Sequence, residues 1–192
     1  MEVIETSIPG VVKIVPKVFA DARGYFFESF SEREFVEKVC NTRFVQDNES
    51  RSCYGVLRGL HFQKPPYAQS KLIRVISGKI LDVAVDIRKG SPTYGRYVAQ
   101  YLSGDSKEQL FIPRGFAHGF SVHSKEAVIQ YKCDAFYTPE SEGAIAWNDP
   151  ELKIDWGIEE SSIILSGKDR SHLPLRETDS PFLYDIDYYH FE

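Results

Sequence analysis

Two of the five histidines in the sequence lie where short strands and turns are predicted to meet. His61 falls in GVLRGLHFQK (residues 55–64), a strand-like run that Pro65 and Pro66 end. His118 falls in IPRGFAHGF (residues 112–120), where proline and glycine predict a turn that leads into an apolar strand. Imidazole titrates near neutral pH and can bind a metal or move a proton. Two histidines near strand ends therefore predict a barrel with chemistry in its interior.

The donor residues around these histidines do not complete a metal site. First-row metals are usually held by three or four protein donors. The cupin-type metal pattern has a second histidine two positions after the first, followed by a glutamate. Here that position is Gln63, and no acid lies between His61 and Gly78, whereas the second motif keeps its histidine, His118. Two donors out of four predict a barrel without a metal.

A histidine without a metal can still act as a general base. Imidazole accepts a proton efficiently near neutral pH when a carboxylate orients the ring. His61 is therefore the candidate base. The alternative from the residues alone is that His61 is a hydrogen-bonded core residue without a part in chemistry.

Length and composition favour a single all-β domain. A chain of 192 residues fits one domain, because sandwiches and barrels of this size commonly form a single core. Hydrophobic residues make up 42% of the sequence and aromatic residues 14%, with a single methionine. A core of β-branched and aromatic side chains is typical of strands rather than helices.

Charge and cysteine content narrow the classes of partner. The formal net charge of −5 argues against a nucleic-acid surface, which needs a basic stripe to displace condensed counterions. An anionic ligand would need a local basic pocket. Cys40, Cys53 and Cys133 have no CxxC spacing, which indicates neither a disulfide framework nor a zinc knuckle. Residues 1–5 lack a signal-peptide pattern and no run is long enough to span a membrane, so we expect a soluble cytoplasmic protein.

Short strands separated by glycine and proline are predicted to position the histidines. Two strands at residues 11–18 and 24–30 flank a turn at residues 20–24, and residues 31–34 (SERE) fit a capping box that opens a short helix. Further strands are predicted at residues 71–77, 79–88, 97–102, 108–112, 119–123 and 128–136. Many short strands are typical of a sandwich or closed barrel. The aromatic tail at residues 182–191 is predicted to pack on the body of the protein or on a partner chain.

Four segments together resemble the dTDP-4-dehydrorhamnose 3,5-epimerase family of nucleotide-sugar enzymes. They are LRGLHFQ (residues 57–63), FIPRGFAHGF (111–120), QDN (46–48) and SGKD (166–169). The resemblance runs in the same order from about residue 10 to residue 174. It implies a double-stranded β-helix, which is a cupin-like jelly roll, and a homodimer that builds part of each nucleotide site from the neighbouring chain. It also implies epimerisation at the carbons that flank a 4-keto group, without a redox cofactor or a metal.

By position, the resemblance implies catalytic roles for four residues. His61 corresponds to the base, Asp169 to the carboxylate that orients it, and Tyr131 to the proton donor on the opposite face of the sugar. Lys71 corresponds to a cation near the developing enolate oxygen, where fixed positive charge stabilises the transition state more than the ketone. The resemblance also implies substrate-binding roles. Arginine suits a diphosphate because its planar guanidinium group binds two oxygens at once. Tyr137 corresponds to an aromatic residue that stacks on the pyrimidine. The substrate-binding positions implied in this way are Arg23, Glu28, Gln46, Asp47, Asn48, Arg58, Lys71, His118, Tyr137, Glu142 and Lys168.

Three other functions remain open. A relative that epimerises only C3 or only C5 would keep His61, Asp169 and the nucleotide contacts. A non-catalytic sugar-binding cupin would keep a pocket but lose the base or its orienting acid, so the joint presence of His61, Asp169 and Tyr131 weighs against it. A metal dioxygenase or isomerase is disfavoured by Gln63 and by the missing glutamate. The pathway that the resemblance implies by default is rhamnose supply for cell-surface polysaccharide.

Overall fold

Antiparallel strands dominate the structure, a computed structural model in which residues 1–189 are described. One α-helix, α1 (Glu32–Lys38), and three 3₁₀ turns at Pro139–Ser141, Glu160–Ser162 and Leu175–Glu177 complete the described elements. Within residues 1–189, no helix has the length and apolar composition needed to cross a membrane. The strands are β1 (Glu2–Glu5), β2 (Val12–Val15), β3 (Val18–Asp21), β4 (Gly24–Phe27), β5 (Gln46–Cys53), β6 (Leu57–Gln63), β7 (Lys71–Ser77), β8 (Lys79–Asp86), β9 (Tyr97–Ser103), β10 (Gln109–Ile112), β11 (Phe116–Val122), β12 (Glu126–Cys133) and β13 (Glu142–Ala144).

Two sheets face each other across the interior. One sheet has the strand order β1-β2-β10-β7-β12-β5, and the other has the order β13-β6-β11-β8-β9. Strands β3 and β4 form a separate hairpin. Ile73 and Ile129 from the first sheet and Ile80 and Val122 from the second are buried together between the sheets. The fold is a cupin-like jelly roll, which confirms the predicted all-β class and double-stranded β-helix.

The second sheet is covered on its outer face as well. Along β8, Ile80 and Ala84 face the first sheet. Val83 points the other way and is buried in a cluster that includes Trp156 and Phe182 from the C-terminal part of the chain. Burial on both faces explains why β8 is a nearly continuous apolar run rather than an alternating one.

The C-terminal segment, residues 178–189, packs on the body of the protein. Phe182 and Tyr188 are buried, and their rings meet edge to face with centroids 5.0 Å apart. The Tyr189 hydroxyl lies 2.6 Å from the Ser70 hydroxyl, and the Arg114 guanidinium lies over the Tyr189 ring. The predicted packing of the aromatic tail is therefore confirmed up to Tyr189. Residues 190 and 191 of that prediction lie outside the described residues.

Two predicted elements near the N-terminus differ from the structure. The strand predicted at residues 11–18 is two strands, β2 and β3, because Pro16 has no amide hydrogen to donate to a ladder. Helix α1 does begin after Ser31, but the Ser31 side chain makes no capping hydrogen bond, so the capping-box prediction is wrong. The Glu34 carboxylate is instead engaged by the amino terminus of Met1 at 2.9 Å. Burial of Phe35 against the first sheet holds the helix in place.

Most other predicted strands are present with shifted ends. Strand β7 has the predicted ends, and β11 begins three residues earlier than predicted because it pairs with β8 without interruption from Phe116 to Val122. Strand β12 stops at Cys133, where its pairing with β5 and β7 ends. Strand β5 was not predicted, because its sequence QDNESRSC is polar at almost every position and resembles a loop.

Candidate active site

His61 and His118 lie side by side on neighbouring strands. In the antiparallel pair of β6 and β11, His118 is the direct register partner of His61, so the two side chains share a face. Leu60 and Phe62, the neighbours of His61, pack in the outer cluster of the second sheet. The alternation of a strand therefore turns His61 inward. Both histidines point into the barrel, which confirms the prediction.

A cavity of about 310 Å³ opens beside His61, and both sheets contribute to its wall. His61 and Glu142 come from β6 and β13 of the second sheet, and Lys71 and Tyr131 come from β7 and β12 of the first. The cavity thus brings together three of the four expected catalytic residues. It is lined by Gln46, Asn48, His61, Phe62, Gln63, Gln69, Lys71, Tyr131, Cys133, Tyr137 and Glu142.

Asp169 lies behind His61 and holds the imidazole ring. The Oδ1 atom of the buried Asp169 is 2.6 Å from His61 Nε2, and the Ser166 hydroxyl donates to Oδ2 over 2.7 Å. Burial alone would raise the pKa of Asp169, but the hydrogen bonds with His61 and Ser166 hold that pKa below its usual value. An ionised carboxylate only accepts hydrogen bonds, so Nε2 carries the proton. Nδ1 of His61 then keeps the free lone pair that a base needs.

Lys71 and Tyr131 lie on the inner face of the first sheet. Tyr131 and Cys133 are two residues apart on β12 and share a face, and Lys71 is the register partner of Cys133. Burial lowers the pKa of Lys71, and nearby acidic groups partly offset this effect. Burial raises the pKa of Tyr131, which keeps its hydroxyl protonated at neutral pH. A half-buried amine and a phenol therefore share one cavity with the imidazole of His61.

His118 belongs to a second histidine–carboxylate pair. Its Nε2 lies 2.6 Å from Asp82 Oδ1, and both side chains are buried. Burial lowers the pKa of His118 more than Asp82 raises it, so the ring is neutral at neutral pH. Asp82 was missed in the sequence analysis. The available signal was an acid in the middle of the apolar strand β8, because a carboxylate in a buried position needs a partner.

The QDN segment divides between the two faces of β5. Gln46 and Asn48 line the cavity, and the Gln46 amide donates to Asn48 Oδ1 over 2.9 Å. Asp47 points to the other face, where Lys132 donates to its two oxygens over 2.9 and 3.0 Å. The period-two alternation of a strand requires this split. The structure therefore does not bring Asp47 to the cavity, unlike its two neighbours.

Two of the expected basic residues lie near the cavity. Lys168 is exposed, and its Nζ is 3.4 Å from Oε2 of the lining residue Glu142. Arg58 donates to the Ser52 hydroxyl. Its positive charge is close enough to Tyr131 to lower the pKa of that phenol, which partly offsets the increase caused by burial. Both guanidinium and ammonium groups are thus available to an anionic ligand at this end of the barrel.

Arg23 and Glu28 do not line this cavity within one chain. Arg23 lies at the turn of the β3–β4 hairpin, where its Nη2 is 2.6 Å from Asp21 Oδ2. Glu28 follows β4 and lines a different cavity of about 260 Å³ near the N-terminus. On the same hairpin, the solvent-exposed fraction is 54% for Phe19 and 72% for Phe26. The two expected substrate contacts therefore lie on, or directly after, an apolar hairpin that the chain itself leaves uncovered.

His172 is the main residue beside His61 that the sequence analysis missed. The two imidazole rings meet edge to face with centroids 5.9 Å apart, and His172 Nε2 lies 3.7 Å from Asp169 Oδ1. Burial, and to a smaller extent the neighbouring His61, lower the pKa of His172. The signal in the sequence was a histidine three positions after Asp169.

Comparisons with known proteins place this geometry in a family. The family model described as dTDP-4-dehydrorhamnose 3,5-epimerase matches residues 5–177. The chain is 51% identical over 175 residues to the dTDP-4-dehydrorhamnose 3,5-epimerase of Methanothermobacter thermautotrophicus, and the match covers 91% of this chain and 94% of the relative.

Solved structures agree with the sequence comparison. The crystal structure of dTDP-6-deoxy-D-glucose-3,5-epimerase from Legionella pneumophila, in complex with dTDP-4-keto-L-rhamnose, is 47% identical with a TM-score of 0.92, covering 96% of this chain and 99% of that one. A 3'-monoepimerase from Streptomyces bikiniensis, in complex with dTDP-quinovose, is 30% identical with a TM-score of 0.84, covering 90% and 87%. On sequence, fold and the match along most of its length, this chain belongs to the dTDP-4-dehydrorhamnose 3,5-epimerase family.

Proposed function

We propose that this protein epimerises dTDP-4-dehydro-6-deoxy-D-glucose at C3 and C5 and so forms dTDP-4-dehydro-L-rhamnose for rhamnose synthesis. The observation that carries the proposal is the pair of His61 and Asp169 at a cavity that also contains Lys71 and Tyr131. The keto-sugar nucleotide bound to the Legionella relative supports the choice of substrate.

The 4-keto group of the substrate makes proton removal possible. A carbonyl acidifies the hydrogens on its two neighbouring carbons, so a base of moderate strength can remove either one. His61 takes the proton on Nδ1, and the electron pair left on carbon is delocalised onto the keto oxygen as an enolate. Asp169 stabilises the imidazolium that forms. Lys71 stabilises the negative oxygen, where charge is greater in the transition state than in the ketone.

Inversion requires that the new proton arrive on the opposite face of the ring. Tyr131 comes from the sheet that faces His61, and its raised pKa keeps the hydroxyl protonated until the enolate accepts its proton. The carbon then carries hydrogen on the other face, and its configuration is inverted. His61 then releases its proton to solvent and Tyr131 regains one from solvent, and the same steps at the second carbon complete the double epimerisation. No electron leaves the substrate, so the proposed reaction requires no nicotinamide, and Lys71 supplies the positive charge at the enolate oxygen that a metal would otherwise provide.

The nucleotide is assigned to the outer part of the cavity. Tyr137 is half exposed there and offers a ring face to the pyrimidine. Gln46, Asn48 and Glu142 supply hydrogen-bonding groups, and Lys168 supplies positive charge for the diphosphate. Arg58 and His118 complete the polar contacts proposed for this chain.

A homodimer is proposed to complete each site through the β3–β4 hairpin. Phe19 and Phe26 form an exposed apolar surface that a second copy would cover, and a two-fold contact would bury it on both chains. Arg23 and Glu28 on or beside this hairpin would then contact the nucleotide of the neighbouring chain. We propose that each chain contributes one domain to this dimer and that the enzyme acts in the cytoplasm.

Epimerisation at one carbon is the second candidate. The similarity to the Streptomyces bikiniensis 3'-monoepimerase favours it, since that protein shares the fold over most of the chain. The two candidates differ in which carbon exchanges its hydrogen, and not in the base or the nucleotide contacts.

Proton exchange measured by NMR in deuterated water distinguishes these functions. We expect the purified protein to incorporate deuterium at both C3 and C5 of dTDP-4-dehydro-6-deoxy-D-glucose, whereas exchange at C3 alone indicates a 3-epimerase. If neither C3 nor C5 exchanges its hydrogen, the result would contradict an epimerase and favour a binding protein. Turnover should persist after treatment with EDTA, and a loss of turnover that a divalent ion restores would contradict the metal-free mechanism.

A further inference from the structure

Three side chains of metal-binding type, including the proposed base His61, converge at one edge of the cavity, and the proposed reaction uses only two of them. His61, Asp169 and His172 each present one donor atom, and these atoms lie within 4.8 Å of one another. We propose that they form a binding site for a divalent d-block cation such as Zn²⁺, and that a bound cation inhibits the enzyme. The inhibitory part of this inference rests on the proposed function, and the binding part does not.

His172 supplies the observation that points to a ligand. Its Nε2 atom is buried, and within residues 1–189 it makes no hydrogen bond. Most buried polar atoms in folded proteins have a partner, so a buried ring nitrogen without one needs an explanation. Asp169 Oδ1 lies 3.7 Å away, which is beyond hydrogen-bonding distance. A cation between the two atoms would satisfy both.

The distances are compatible with zinc. Zinc binds nitrogen and oxygen donors at about 2.0–2.2 Å, which places neighbouring donors of a tetrahedral site about 3.3 Å apart. His172 Nε2 and Asp169 Oδ1 are already near this separation. His61 Nε2 and Asp169 Oδ1 are 2.6 Å apart because they share a hydrogen bond, and this distance must lengthen by less than about 1 Å when a cation replaces the proton.

The surroundings of Asp169 also suit a metal ligand. The Ser166 hydroxyl binds Oδ2 and so leaves Oδ1 for the site, as outer hydrogen bonds commonly do for ligating carboxylates. Two imidazoles and one carboxylate leave a fourth position for water and favour zinc over magnesium or calcium, which prefer oxygen ligands. This donor set is not the cupin-type metal pattern, whose second histidine position is Gln63 in this chain. Only His61 belongs both to that pattern and to the site proposed here.

A cation at this site would make His61 a weaker base. It would occupy Nε2 in place of the proton that Asp169 now accepts, and it would withdraw electron density from the ring. Nδ1 would then be a weaker base, and the Asp169 charge would be engaged by the metal. Inhibition is therefore expected without any contact between the cation and the substrate.

Calorimetry tests binding without substrate. Full-length protein freed of metals by chelation is titrated with ZnCl₂, and we expect one site per chain. His172→Gln should bind at least about tenfold more weakly, since even residues that only support a metal ligand contribute ten- to a hundredfold in affinity. The control His123→Gln removes a histidine that contacts the Trp156 carbonyl, and it should bind zinc as the wild type does. Equal zinc affinity of the wild type and His172→Gln, with both folded by circular dichroism, would overturn the site.

Turnover tests the inhibitory role. Zinc should inhibit the wild type in proportion to the site filled in calorimetry, and EDTA should restore activity. His172→Gln should need at least about tenfold more zinc for the same inhibition. Zinc that binds but leaves turnover unchanged would overturn inhibition. If the protein has no epimerase activity, calorimetry still decides the site, so the two proposals fail separately.

Discussion

The Nε2 atom of His61 lies 2.6 Å from the Oδ1 atom of Asp169, although 108 residues separate them in the chain. Just before β6, Val56 and Ile164 form a parallel β-bridge, and they are separated by the same number of residues as His61 and Asp169. The Leu57 amide donates to the Ile164 carbonyl over 3.0 Å in the same place. The segment that carries Asp169 therefore runs alongside β6 and delivers the carboxylate to His61.

Replacing His61 by alanine should abolish both turnover and solvent exchange. Among the cavity-lining residues, His61 is the one whose imidazole is held by a buried carboxylate, and general bases contribute about 10²–10⁴-fold to rate. NMR in deuterated water measures exchange at C3 and C5, and His123→Gln serves as a histidine control away from the cavity. Near-normal exchange in His61→Ala would remove His61 from the role of base.

Tyr131→Phe should separate exchange from inversion. Without the phenol hydroxyl, His61 can still form the enolate and return a proton to the same face. We therefore expect deuterium incorporation to persist while formation of the L-rhamno product falls by about 10²–10⁴-fold. Product analysis by NMR in the same samples gives both quantities. Simultaneous and equal loss of exchange and inversion would argue that Tyr131 acts before the enolate forms.

Asp169→Asn should give a defect between those of the wild type and His61→Ala. The amide leaves the imidazole in place but removes the charge that holds its tautomer and stabilises the imidazolium. Ser166→Ala is the matched milder change, because it keeps the Asp169 carboxylate and removes the two hydrogen bonds of the Ser166 hydroxyl, to Asp169 Oδ2 and from the Asp169 amide. We expect turnover in the order wild type, Ser166→Ala, Asp169→Asn, His61→Ala, measured at saturating substrate. A fully active Asp169→Asn would contradict the orienting role.

Asp86 should make folding stability depend on pH in the acid range. This fully buried carboxylate accepts hydrogen bonds from Arg88, Ser91 and Thr93. Burial alone would raise the pKa of Asp86, but these bonds hold it below its usual value. The stability it contributes is therefore complete above the unfolded pKa of about 4 and is lost as the pH falls through the lower folded pKa.

Urea unfolding between pH 7 and acid pH measures this contribution. Asp86→Asn should lower the free energy of unfolding at pH 7 by about 1–3 kcal/mol, because it leaves buried donors without a charged acceptor. Below about pH 4 the variant should lose less stability than the wild type. Asp105→Asn, in an exposed turn, is the control and should follow the wild-type curve. Parallel pH curves for the wild type and Asp86→Asn would contradict the prediction.

The hairpin surface should hold two chains together. Phe26→Ser removes the most exposed aromatic of β3–β4 and should shift the sedimentation of the protein from dimer towards monomer at micromolar concentration, with a loss of affinity for the nucleotide. Leu183→Ser, at a residue that is 51% exposed on the C-terminal segment, is the control and should remain a dimer. A wild-type protein that sediments as a monomer would contradict the proposed assembly.

Local patterns in the sequence determined the fold class and the direction of the two histidines. Alternation and short apolar runs fix which face of a strand is buried, and they gave β7, β8, β9 and β12 to within a few residues. The turn motifs before His61 and His118 are equally local. The positions of Gln46 and Asn48 in the cavity also follow from alternation once β5 is known to be a strand.

Tertiary structure alone decided which distant residues meet. Strand β5 is polar, so its place in the sheet depends on pairing with β12 rather than on its own composition. That pairing turns Asp47 away from the cavity, which the motif by itself did not reveal. The contacts of Asp82 with His118, and of Asp169 and His172 with His61, arise because sheet register and a long C-terminal connection join segments far apart in the chain. Sequence periodicity encodes the face of each strand, whereas register between strands is set by the packing of the whole barrel.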